Sequence, residues 1–222
     1  MRKVVVLAAV LAFIAFAATA QATPLSPGGS VSGALISPAP SGVVVADTGV
    51  LSWSNLFNGL PNTGTVRELV VKEAGGTYDF LYQVTVNPSP PNGPAAHMNQ
   101  VFGSSFAGWT TNVGYITSGF GPLPAGSIKP TTVTRSAGAG TTIDFIFPFG
   151  HAINAGQTSD IMVVETNSTS FEGGTIHLQN GGSAGTFPGF APGPEPSSLV
   201  LLATGILGLG AYAWRRRGLL AV

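Results

Sequence analysis

Residues 78–86, Tyr-Asp-Phe-Leu-Tyr-Gln-Val-Thr-Val, place Tyr78, Phe80, Tyr82, Val84 and Val86 on one side of an extended chain. A period of two marks a strand with one buried face, and a helix cannot hold it. Ile143, Phe145 and Phe147 repeat the pattern. Further short runs rich in β-branched and aromatic residues fall at 42–45, 49–53, 66–72, 105–110, 113–117, 131–135, 141–147, 160–165 and 175–179. Turn-forming stretches separate them, among them 74–76, 88–94 and 137–140. No stretch between the two chain ends keeps a helical period. The expectation is an all-β fold, an antiparallel two-layer β-sandwich, with a jelly roll as one arrangement of it. The order of the strands is not legible.

Both ends of the chain break this pattern. Arg2 and Lys3 precede an apolar stretch at 4–18, and small residues follow at cleavage spacing, Ala18-Thr19-Ala20 or Ala20-Gln21-Ala22. This is the layout of a secretory signal peptide, residues 1–22, with Ala20 and Ala22 as the cleavage positions and Thr23 as the new start. An uncleaved N-terminal anchor is the competing reading. At the other end Pro194, Glu195 and Pro196 precede an uncharged run at 199–214, and Arg215, Arg216 and Arg217 close it. Sixteen residues make a helix of roughly 24 Å. A bilayer core of about 30 Å asks for about 20 residues. A transmembrane helix is expected at 198–214, short and weakened by Gly205, Gly208 and Gly210. Tyr212 and Trp214 suit a membrane interface, and the arginines place that end in the cytoplasm. A buried core helix is disfavoured, because a basic triplet directly after it is hard to bury.

The tripeptide, the apolar run and the basic stop, in that order, resemble the PEP-CTERM signal of Gram-negative bacteria. That signal is read by membrane proteases called exosortases. The resemblance covers residues 194–218. It implies an exported protein, handled by signal peptidase and then an exosortase, and held at the inner membrane by its C-terminal helix before processing. It further implies a cut at or near 194–196 and a final place at the cell surface or in the extracellular matrix. A permanent C-terminal anchor without processing remains the alternative. A strand carrying Tyr-Gln-Val at 82–84 and a later Phe-Ala-Gly-Trp at 106–109 are also similar to a pattern of PEP-CTERM proteins.

Between the ends lie a β-sandwich domain expected at 23–186 and a Gly/Pro linker at 187–193. A second linker-like stretch covers 23–41. Without its two ends the chain holds four basic and eight acidic residues, a net charge of −4. This argues against nucleic acid, which needs clustered Lys and Arg, and against an anionic membrane surface. The absence of cysteine excludes disulfides, thiolate zinc sites and cysteine nucleophiles.

Motifs for catalysis are sparse. His97, His151 and His177 are isolated, with no zinc-type spacing. There is no Gly-x-Ser-x-Gly elbow and no calcium loop. Asp79, Asp144, Asp160 and Glu165 are the acids that a folded β-domain could bring together, and a buried, converging acid pair in a cleft would mark a hydrolase. Residues 60–64, Leu-Pro-Asn-Thr-Gly, fit the Gram-positive sortase signal. They lie far upstream of the apolar tail and read as turn chemistry. Asn167-Ser168-Thr169 is a glycosylation sequon, read as a turn. The expectation is a non-enzymatic envelope or exopolysaccharide-matrix protein without cofactor or metal. The alternative is a glycan-binding jelly-roll module using Trp109, Asn112 and Tyr115 on one exposed face.

Overall fold

The computed structural model describes residues 22–57, 60–89, 97–180, 183–194, 204–207 and 209. Within them the chain forms two antiparallel sheets and one short ribbon. The first half holds β1 (Thr23–Pro24), β2 (Ser30–Ser32), β3 (Val43–Asp47), β4 (Leu51–Phe57), β5 (Leu60–Lys72) and β6 (Tyr78–Val86). The middle holds β7 (His97–Met98), β8 (Gln100–Gly103), β9 (Thr111–Ile116), β10 (Thr132–Arg135) and β11 (Ile143–Ile146). The last part holds β12 (Ile153–Asn154), β13 (Ile161–Thr166), β14 (Phe171–Asn180) and β15 (Ser183–Pro192).

The first sheet runs β1-β9-β13-β6-β5-β3, with β4 also on β5. The long β5 takes β4 along residues 60–66 and β3 along 69–72. The second sheet runs β15-β14-β8-β11-β10-β2, and β7 pairs β12 as a ribbon. From β3 to β6 the chain stays in the first sheet; afterwards it crosses between the sheets repeatedly.

The main core lies between the sheets. Val66, Val70, Phe80, Tyr82, Val84, Val113 and Val164 of the first sheet meet Val101, Val133, Ile143, Phe145, Ile176 and Leu178 of the second. Phe80 and Phe106 pack edge to face with centroids 5.6 Å apart. Each buried Phe contributes about 1.5–3 kcal/mol over an exposed one. The one-sided burial expected of β6 understates the strand. Leu81 and its neighbours Leu69, Val71 and Val163 face the other way, into a second cluster closed by Ile36 and Leu123. The first sheet is therefore buried on both faces, which explains the unbroken apolar stretch around Leu69-Val70-Val71.

Several expected boundaries are corrected. Residues 105–110 form a turn, not a strand: Ser105 has φ 70° and Gly108 φ 82°, both left-handed. Residues 60–64 are not a turn but the start of β5, paired with β4 and β6. The linker expected at 187–193 is strand as far as Pro192, because β15 pairs β14 from Asn180–Ser183 to Phe171–Pro192. The stretch 23–41 carries β1 and β2, and Ile36 packs into the outer cluster. Residues 204–207 and 209 are helical and exposed. Among the described residues no helix is long and apolar enough to cross a membrane. The span expected at 198–214 therefore has no support from them, and most of it, like residues 1–21, lies outside the described residues.

Candidate functional site

Asn112 of β9, Glu165 of β13 and Asp79 of β6 stand side by side, because Glu165 is in register with both neighbours. They form the floor of a cleft of about 400 Å³. Glu73 and Thr77, from the turn after β5, make one wall, and residues 38–41 the other. Asn112 Nδ2 donates to Glu165 Oε2 at 3.3 Å. Glu73 holds the far wall: its Oε1 accepts from the Gly42 N–H at 3.1 Å and its Oε2 from Ser41 Oγ at 3.4 Å.

Asp79 is only 4% exposed. Burial, then the charges of Glu165 and Glu73, push its carboxyl up to about 8. It therefore carries a proton at neutral pH. Burial also raises Glu165. Of the four acids named from the sequence, the structure brings together Asp79 and Glu165. Asp144 lies on β11 of the other sheet, where Gln100 Nε2 donates to it at 3.3 Å. Asp160 precedes β13, near Lys129. Among the described residues no group of three or more His, Cys, Asp or Glu is placed to hold a metal ion.

The three residues named for a glycan do not share a face. Asn112 lines the acid cleft on the outer side of the first sheet. Tyr115, three positions on, belongs to the opposite side and is 7% exposed. Trp109 sits half-buried in the 105–110 turn, beside a second cleft of about 290 Å³ that it shares with Glu172, Pro192 and Pro194. Arg135 fixes that turn. Its guanidinium donates to the carbonyls of Phe106 (2.6 Å), Trp109 (3.0 Å), Leu25 (3.1 Å) and Gly140 (2.9 Å), and to Thr111 Oγ1 (2.9 Å). His151 is exposed in a loop, and His97 pairs with Asn154 in the ribbon.

Sequence reasoning passed over an aromatic pair. Phe102 of β8 stacks on His177 of β14, centroids 5.3 Å apart at 25°. Strand register puts Thr186, His177, Phe102, Asp144, Thr134 and Ser30 in one row across the outer face of the second sheet. Phe102 sits in a four-residue strand ending in Gly103, too short for its alternation to be seen.

Pro194 is the first residue of the sorting signal expected from the sequence, and it is exposed at the end of the body. Ser170 Oγ donates to its carbonyl at 2.9 Å. Glu195, Pro196, Arg215, Arg216, Arg217 and Ala20 lie outside the described residues. Ala22 is buried in the outer cluster. Residues 194–217 match the family model described as the PEP-CTERM protein-sorting motif. Neither the curated proteins nor the solved structures give a match. The last strand of the second sheet ends at Pro192, two residues before the matched segment begins, and the chain is a bearer of the PEP-CTERM sorting motif, the mark of an exosortase substrate.

Proposed function

We propose that the chain is exported as a precursor, held briefly at the inner membrane by its C-terminal segment, cut by an exosortase near 194–196, and then acts as a non-enzymatic structural protein of the cell surface or exopolysaccharide matrix. The sorting motif at 194–217 carries this reading. The acid cleft is where an enzymatic alternative would sit, since Asp79 and Glu165 converge in it as the two carboxyls of a hydrolase would. Against that use stand the depth of Asp79, 4% exposed, and the engagement of Glu73 with residues 41–42. The cleft thus joins a loop to a sheet. Fractionation of cells with and without the exosortase tests the assignment. The shortened body should reach the surface fraction only when the protease is present. Turnover of a polysaccharide by the purified body would reject the structural reading.

The row around Phe102 and His177 favours one second reading, a glycan-binding module. An aromatic pair flanked by Asp144, Gln100 and Gln179 offers a ring face and planar polar groups on one sheet surface. Co-sedimentation of the body with exopolysaccharide, lost in Phe102→Ala and kept in Trp109→Ala, is the outcome that favours it.

A further inference from the structure

We propose that the turn at residues 167–170 is a clamp that keeps the start of the sorting motif closed against the body, so that the motif must be drawn off before it is cut. The clamp rests on the reading of the motif as an exosortase signal. Four contacts to Gly193 and Pro194 build it, with one brace inside the turn. The Gly193 N–H donates to the Ser170 carbonyl at 3.1 Å. Ser170 Oγ lies 2.8 Å from the Gly193 carbonyl and 2.9 Å from that of Pro194, and shares its one proton between them. Ser168 Oγ, wholly buried, lies 3.2 Å from the same Gly193 carbonyl and 2.6 Å from the Ser170 carbonyl.

The turn itself is anchored from several sides. Tyr78 N–H donates to the Ser168 carbonyl at 3.0 Å, and Thr166 Oγ1 donates to the Tyr78 carbonyl at 2.7 Å. Asn167 Oδ1 accepts from the Thr110 N–H at 2.9 Å, which ties the clamp to the turn bearing Trp109. Asn167 and Ser168 of the sequon thus serve as the frame of the clamp. β15 brings the chain to the turn already paired, with Pro192 opposite Phe171.

A protease recognises an extended segment whose backbone groups are free to pair with it. The Pro194 carbonyl is not free, and the backbone of Gly193 is engaged at both its N–H and its carbonyl. Cutting near 194–196 therefore waits on breaking these bonds. The clamp acts before any covalent bond changes.

The test is pulse–chase of the full-length precursor in a host that holds the cognate exosortase. Ser170→Ala should be shortened roughly three- to tenfold faster than wild type, the range that one net hydrogen bond supplies. A Gly-Ser-Gly-Ser insertion between Gly193 and Pro194 leaves the turn intact and frees the motif. It should accelerate cutting likewise, with the melting temperature of the body unchanged. The insertion variant decides the matter if Ser170→Ala does not fold. Wild-type or slower rates in the insertion variant would overturn the clamp while the sorting reading stands. A wild-type precursor that is never shortened would overturn both.

Discussion

Glu68 and Asp79 illustrate how burial leads in setting the charge of a side chain here, helped at Asp79 by Glu165 and Glu73. Glu68 points into the main core, where its Oε2 accepts the Phe190 N–H at 2.8 Å, and burial pushes its carboxyl up to about 8. In the unfolded chain both acids ionise near their ordinary values, about 4. Between those limits the folded state holds protons that the unfolded state has released, so stability falls as pH rises. The stabilisation is complete below about pH 4 and is gone once pH has passed about 8. A melting temperature lower by at least about 10 °C at pH 9 than at pH 5 is expected. Glu68→Gln, which keeps an acceptor for Phe190, should flatten that dependence. A second residue-scale effect belongs to Arg135. Replacing it with Met leaves the carbonyls of Trp109 and Gly140 without a side-chain donor and takes one of two donors from those of Leu25 and Phe106. A loss of about 3–5 kcal/mol is expected, read by urea denaturation. Arg135 was legible only as one of the four basic residues of the body, since its sequence neighbours Thr134 and Ser136 give no hint of the carbonyls that converge on it.

Strand β15 carries the clearest consequence at the level of elements. It is the edge of the second sheet, it runs the full length of β14, and Ala191 is fully buried. A fragment of residues 22–194 should therefore melt in one cooperative step. A fragment ending at 186 cuts β15 in the middle and should melt at least 10 °C lower, or fail to fold, by circular dichroism. The strand was not legible because its Gly-Thr-Phe-Pro-Gly-Phe stretch has no alternation and two of its residues are proline. An edge position tolerates both, since one side of the strand needs no partner. β6 was legible to the residue because Phe80, Tyr82, Val84 and Val86 all pack from one face into the main core. The meeting of Asp79 with Glu165 was not. It depends on β13 lying between β6 and β9, and strand order leaves no trace in local pattern.

For the whole molecule, the absence of slack between body and tail is the governing fact. Only four residues separate Pro194 from Leu199, five steps along the chain with a reach of at most about 17 Å. Whatever holds the apolar run holds the body beside it. Replacing Glu195, or deleting Arg215 to Arg217, should leave full-length protein in the inner-membrane fraction, seen as a band that does not shorten on immunoblots of an exosortase-positive host. Shortening at the normal rate in both variants would show that the tail is handled by another route. The tail's role was legible from sequence because it rests on linear order alone, which folding does not rearrange. The bond between Phe190 and Glu68 joins positions 122 residues apart, and β15 follows every other strand in chain order. During export from the N-terminus onward, the sandwich thus stays open until its final strand has crossed. Completion of the fold and arrival of the sorting motif are then one event in time, so the clamp on Pro194 closes just as the motif reaches the membrane.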